Sequence, residues 1–345
     1  MAHCYRISAP LRTSLESQRY PGKWAGVRGL VEDNDALIKE GGFKLPDGTW
    51  QPLPSPEPAE VVRCASPSDV AAAPRCFSVT EISVANVDTL TAALVLGDAS
   101  ALNFANATTP GGRYRSGGLA QEEDLCRLLP QLYPSLNSCE YPIEPDTALV
   151  SRGLLAVRQA GTYERCRCMG EITVISAAMP CGMADRRPKG GWAGSTWAET
   201  VTLRIRTVLQ AAQQAGHANV VLGAFGCGAF GNPAGPVAAI FREQLAAAEF
   251  RGSFARVVFA IIDPLGTGNL KPFKRELALL DRDETRGGKR ESSTGHHQTD
   301  EDGICAEDCP LENGKGGLAG PPVHEHMLTD ACQGGDEGVP LSGHP

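Results

Sequence analysis

The sequence predicts an α/β fold: a largely parallel or mixed sheet flanked by helices. Three observations predict it. Between about Cys76 and Pro264, short apolar runs alternate with longer amphipathic ones, the pattern of strands interleaved with covering helices. Three of those runs, Ile172–Ala177, Val220–Ala224 and Val257–Ile262, are dominated by apolar residues, as strands covered on both faces require. Two glycine-containing loops each leave a predicted strand, which is where α/β folds place ligands.

In chain order, residues 1–75 read as an accessory segment: a helix near Leu11–Leu30, an extended piece near Phe43–Trp50, and a linker-like run with Pro52, Pro54, Pro56 and Pro58. The main domain, 76–265, opens with a strand at Cys76–Val84 and a helix at Val87–Leu96. A strand at Ala101–Asn106 leads into the first glycine loop and a helix at Glu122–Leu132. After the strand at Ile172–Ala177 comes a helix at Trp197–Gly216, where Val201, Ile205, Val208, Leu209 and Ala212 recur at helical spacing and define a face against the sheet. The strand at Val220–Ala224, the second glycine loop, a helix at Gly235–Glu249 and the strand at Val257–Ile262 complete it. Beyond the apolar stretch at Leu277–Leu280 the chain turns to Gly, Pro, Glu, Asp and His. Such a segment buries too little apolar surface to offset its chain entropy, so 266–345 is expected to be a mostly disordered tail.

Composition narrows the function classes. The formal net charge of -8 supplies no global basic field, so DNA is not an expected partner. No run approaches the roughly 18 apolar residues needed to span a bilayer, and the first residues lack the apolar stretch of a secretory signal. A soluble, intracellular, monomeric protein of cytoplasm or nucleus is expected. The Arg- and Ser-rich start, without an acid before Glu16, leaves organelle import open. The 12 cysteines then read as reduced thiols, and neither Cys166, Cys168 and Cys181 nor Cys305, Cys309, His324 and His326 reproduces a zinc-site spacing, so no metal is expected.

The chemistry should lie in the two loops. The first runs from Asn103 through Asn106, Pro110-Gly111-Gly112-Arg113 and Gly117-Gly118 to Gln121-Glu122-Glu123. The second is Leu222-Gly223-Ala-Phe225-Gly226-Cys227-Gly228-Ala229-Phe230-Gly231. Glycines let a backbone approach a ligand closely, and the N–H groups so presented form a concave site suited to a phosphate or diphosphate. Neither loop completes a dinucleotide fingerprint, because no acidic residue follows at the required distance on a second strand. Taken alone, each loop reads as a tight strand-to-helix turn, and the Glu122-Glu123 pair as ordinary helix-start chemistry. Two such loops in one domain, one of them long and ending in the acid pair, shift the reading towards a ligand site.

Gly111-Gly112-Arg113, then seven residues, then Gln121-Glu122-Glu123, resembles the signature of poly(ADP-ribose) glycohydrolases. Asn103-Phe-Ala-Asn106 and Gly226-Cys-Gly-Ala-Phe230 look like that family's ribose and diphosphate segments. Leu132-Tyr133-Pro134-Ser135-Leu136 and the second loop point to its microbial-type branch. The resemblance implies a macrodomain-like fold, no cofactor, and hydrolysis of ribose–ribose glycosidic bonds in poly(ADP-ribose), the polymer or ADP-ribosylated proteins being the partners. Carried over by position, Glu123 would be the catalytic acid and Glu122 would hold the ribose beside it. Asn106 would bind a ribose hydroxyl. The backbone of Gly111, Gly112 and the Gly226, Cys227, Gly228, Ala229 loop would hold the diphosphate, with Phe230 against the ligand and Phe225 in the core. Gln121 and Arg113 complete the substrate-binding set.

Arg113 stands where the family has its third glycine. If that position needs a positive φ, Arg is strained there; if not, its guanidinium could add a charge-assisted contact to a diphosphate. The alternative function is a macrodomain that binds ADP-ribose without cleaving it, against which the presence of both acids argues.

Overall fold

A computed structural model describes residues 4–7, 27, 29–65, 76–181, 196–263 and 268–281. Its centre is an eight-stranded mixed sheet. In chain order the strands are β1 (Cys4–Ile7), β4 (Glu60–Arg63), β5 (Val79–Ala85), β6 (Ala99–Phe104), β7 (Thr147–Leu155), β8 (Glu171–Ala177), β9 (Asn219–Leu222) and β10 (Arg256–Ala260). They lie in the order β1-β5-β10-β9-β6-β8-β7-β4, while β2 (Gly42–Lys44) and β3 (Trp50–Pro52) form a separate hairpin. The first six strands of that order run parallel; β7 is antiparallel to both β8 and β4.

Period-2 alternation divides the apolar residues of the central strands between two cores. Val220, Leu222, Val257 and Phe259 join one face, packed on α5 (Thr196–Ala215), α6 (Ala234–Ala246) and α7 (Leu270–Leu277). Val221, Val258 and Ala260 join the other, packed on α2 (Thr89–Leu96), α3 (Gln121–Leu128) and α4 (Leu132–Asn137). The α5 stripe read from the sequence, Val201 to Ala212, is fully buried. Phe241 and Phe273, on α6 and α7, close around Phe259 with centroids 5.2 and 5.5 Å from its ring.

Several sequence-based elements change. The helix expected over Glu122–Leu132 breaks into α3 and α4, because Leu129 before Pro130 leaves the helical region (φ -117, ψ 85), which the following proline disfavours. β7 was not anticipated: Gly153 (φ 66) and a register shift between Ser151 and Leu154 interrupt its alternation. The helix near Leu11–Leu30 lies outside the described residues up to Gly26, and the described helix α1 occupies Gly29–Glu40 instead. Residues 268–281 are folded and contain α7; the rest of the expected tail, 266–267 and 282–345, lies outside the described residues.

The N-terminal segment supplies both edge strands of the sheet, β1 and β4, and α1 packs on α3. Asn34 on α1 is the joint: its Nδ2 donates to the Tyr114 hydroxyl and to the Cys126 and Arg127 carbonyls at 3.1–3.2 Å, while its Oδ1 accepts from Arg158 Nε at 2.8 Å. One buried amide thus ties the first glycine loop to the end of α3. Asn34→Leu strands these partners in the interior and is expected to cost about 1–3 kcal/mol. A denaturant midpoint unchanged from wild type would refute that.

Candidate active site

A cleft of about 760 Å³ opens at the carboxyl ends of β5, β10, β9 and β6, four adjacent parallel strands. Val87 and Asp88 enter it after β5, Asn106 after β6, the 224–230 loop after β9, and Ala260–Ile262 at the end of β10. The start of α3 forms one bank. Of the residues expected from the sequence, Asn106, Arg113, Gln121, Glu122, Glu123, Gly226, Gly228, Ala229 and Phe230 line the cleft. Gly111, Gly112 and Cys227 do not line it.

The first loop brings its two acids into fixed positions. Gly111 and Gly112 both take left-handed backbone (φ 63 and 57), which only glycine adopts at little cost. A Cβ on Gly112 would meet Glu122 Oε2 and Glu123 Oε1, each at 2.7 Å. Arg113, by contrast, has φ -99 and ψ 22, so a side chain is tolerated without strain. Its N–H donates to Glu123 Oε1 at 2.8 Å, and the Asn106 N–H donates to Glu122 Oε2 at 2.8 Å. The Gly118 N–H closes the loop on the Arg113 carbonyl at 2.8 Å, while the buried Arg127 donates to the Gly118 carbonyl.

Both carboxyl groups are nearly enclosed, 3% exposed for Glu122 and 6% for Glu123; Glu122 also interacts with the Asn103 amide and the Gly111 N–H, whereas Glu123 Oε2 has no hydrogen-bond partner among the described residues. Buried acceptors without partners are uncommon and are a mark of a functional site. Burial pushes Glu122 up to about 8 against the N–H of Asn106, and the like charge of Glu123 adds to the rise. The folded state therefore holds this proton more tightly than the unfolded chain, whose carboxyl titrates near 4.5. The resulting stabilisation is complete below about 4.5 and is lost as pH rises through about 8. Glu122→Gln, which removes the titration, is expected to lose less melting temperature than wild type between about pH 5 and 8. Thermal unfolding across that range checks it, and parallel curves would refute it.

Gln121 lines the cleft but its amide is already engaged. Oε1 accepts from the Phe104 N–H at 2.8 Å, and Nε2 donates to the Leu102 carbonyl at 2.8 Å and to Thr89 Oγ1 at 3.1 Å. It fastens α3 to β6. Asn106 Oδ1 accepts from the N–H groups of Thr108 and Thr109 at 2.9 and 3.0 Å, an arrangement that turns the chain after β6. Its Nδ2 donates to no partner among the described residues.

In the second loop Gly226 is left-handed (φ 71), and a Cβ there would lie 2.6 Å from Met179 Cβ. Gly228 faces open space, so backbone and ligand could meet there. Cys227 is not a ready nucleophile: burial pushes its thiol up to about 12. Phe230 is partly buried against the core, and Phe225 is fully buried 5.6 Å from the Phe104 ring. Asn232 is a residue that sequence reasoning missed. Its Nδ2 donates to the Gly226 and Pro180 carbonyls at 2.9 and 2.8 Å and its Oδ1 accepts from Trp197 Nε1 at 2.8 Å, which pins the loop. The apolar wall of Val87, Leu90, Leu119 and Ile262 was missed as well; no motif marks it. Among the described residues no group of three His, Cys, Asp or Glu could hold a metal ion, and no helix is long and apolar enough to cross a membrane.

Residues 34–147 match the family model described as microbial-type PARG, catalytic domain; that span starts at Asn34 and includes the first loop and both acids. No curated protein matches the sequence. The fold is similar to poly(ADP-ribose) glycohydrolase from Thermomonospora curvata (27% identity, TM-score 0.58), covering 73% of this chain and 99% of that one. The same enzyme bound to the inhibitor ADP-HPD matches at 28% and 0.60 over the same shares. The glycohydrolase from Deinococcus radiodurans in complex with ADP-ribose matches at 28% and 0.51, covering 76% of this chain and 99% of that one. Residues 34–147 thus resemble the microbial-type PARG catalytic domain, and the α/β fold around them is similar to that of the bacterial PARG structures.

Proposed function

We propose that this protein hydrolyses ribose–ribose glycosidic bonds in poly(ADP-ribose) and releases ADP-ribose. The observation that carries the reading is the pair of buried carboxyl groups lining the cleft, Glu122 accepting the Asn106 N–H and Glu123 the Arg113 N–H. A relative of similar fold binds ADP-ribose, and its ligand has the ribose and diphosphate for which the two loops are suited.

In this reading Glu123 gives its proton to the departing ribose oxygen as the bond from that oxygen to the anomeric carbon breaks. Water then adds to the anomeric carbon and returns a proton to Glu123. Glu122, which burial pushes up to about 8, holds a hydroxyl of the ribose being released beside Glu123. Asn106 Nδ2 binds a second ribose hydroxyl. The N–H groups of the Gly226–Phe230 loop receive the diphosphate, Phe230 flanks the ribose, and Gly111 and Gly112 act by shaping the acid pair.

The direct test is to incubate the protein with automodified poly(ADP-ribose) and follow free ADP-ribose. Its appearance supports hydrolysis. Tight binding of ADP-ribose without release would instead make this a binding module.

A further inference from the structure

We propose that Arg113 binds the diphosphate of the ADP-ribose unit on the leaving side of the scissile bond, so that the site reads the polymer beyond the unit it releases. The inference rests on the hydrolase reading above and adds a specificity residue to it.

Three observations converge on Arg113. Its backbone is anchored to the acid: the N–H donates to Glu123 Oε1, and its carbonyl is held by the Gly118 N–H. The side chain therefore starts beside the carboxyl that acts on the departing oxygen. Its residue is exposed and lines the cleft, and the guanidinium makes no hydrogen bond or ion pair among the described residues. This holds although Glu122, Glu123 and Asp124 line the same cleft. A nearby cation behaves differently, since Arg115 pairs with Asp35 at 3.0 Å and stacks 4.8 Å from the Tyr133 ring centre. Lastly, φ -99 removes any backbone reason for the position, so the side chain is free to serve a ligand.

The polymer supplies the anion. Each of the two riboses joined by the scissile bond carries its own diphosphate, so anionic groups flank the bond on both sides. The diphosphate of the released unit is assigned above to the Gly226–Phe230 loop, which follows β9, whereas Arg113 lies in the loop that follows β6. Arg113 is placed at the acid, next to the oxygen that leaves, and so faces the other diphosphate. Guanidinium is suited to it: its planar fork offers paired donors to phosphate oxygens and keeps its charge at every relevant pH.

Arg113→Gly, which restores the family's residue, and Arg113→Gln separate the outcomes. Each is compared with wild type on poly(ADP-ribose) and on ADP-ribose joined to nitrophenol, whose leaving group has no phosphate. The ratio of polymer to nitrophenyl kcat/KM is expected to fall about tenfold, as loss of a charge-assisted hydrogen bond implies. Polymer turnover should also become less sensitive to salt, because one phosphate contact fewer is screened. An unchanged ratio overturns the proposal, and so does a matching loss of affinity for ADP-ribose itself, which would put the guanidinium on the released unit. If wild type cleaves neither substrate, the hydrolase reading falls while the inference stays testable by binding. Affinity for poly(ADP-ribose) relative to ADP-ribose must then fall in Arg113→Gly, and an unchanged relative affinity rejects it.

Discussion

Glu123→Gln is expected to lower ADP-ribose release from poly(ADP-ribose) by about 10²–10⁴-fold, the usual contribution of a general acid. The substitution keeps the side chain's size and leaves an oxygen to accept the Arg113 N–H, so the first loop should stay in place. What it removes is the transferable proton. Affinity for ADP-ribose should therefore change little, and the loss should fall on kcat rather than on KM. Turnover near the wild-type rate would remove Glu123 from the mechanism. A loss of ADP-ribose binding equal to the loss of rate would mean that the residue is structural.

Gly112→Ala should damage the same step from the backbone side. A left-handed φ of 57 costs an L-residue about 1–2 kcal/mol, and the added methyl would also lie 2.7 Å from an oxygen of each acid. Neither carboxyl can retreat freely, because each is buried and tied to a backbone N–H. Displacing them by a fraction of an ångström to 1 Å should cost about 10²-fold in turnover. Gly48→Ala separates strain from collision, since Gly48 has φ 81 but open space where its Cβ would go. It should lose comparable stability and keep activity. Equal activity losses in the two variants would reject the collision argument.

How much of this was legible in the sequence differs from element to element. The central strands β8, β9 and β10 were readable because burial on both faces makes a strand apolar at nearly every position. The α5 stripe was readable because one buried helix face must repeat with the helical period. The edge strands β1 and β4 are four residues each, and their place depends on partners far along the chain: Tyr5 pairs with Thr80, and Val62 with Ala148. No local pattern encodes such a pairing. Nor does any motif single out Asn34, which looks like one polar residue on a charged helix until the fold sets Tyr114, Arg127 and Arg158 around it.

The candidate site divides in the same way. Spacing alone placed two glycine loops after strands and put Glu122 and Glu123 at a helix start, because turns and helix termini are local chemistry. Whether the third position of the Gly111-Gly112-Arg113 triplet needs a positive φ is not local: the loop's closure through Gly118 and Glu123 sets it at -99. Likewise, the sequence showed two adjacent acids but could not say how their environments differ. Burial, which exists only once distant strands and loops have assembled, raises Glu122 to about 8 against the hydrogen bonds that pull it down. Residue type and spacing thus determined which groups are present, while long-range packing determined their dihedrals, their solvation and the direction in which they face.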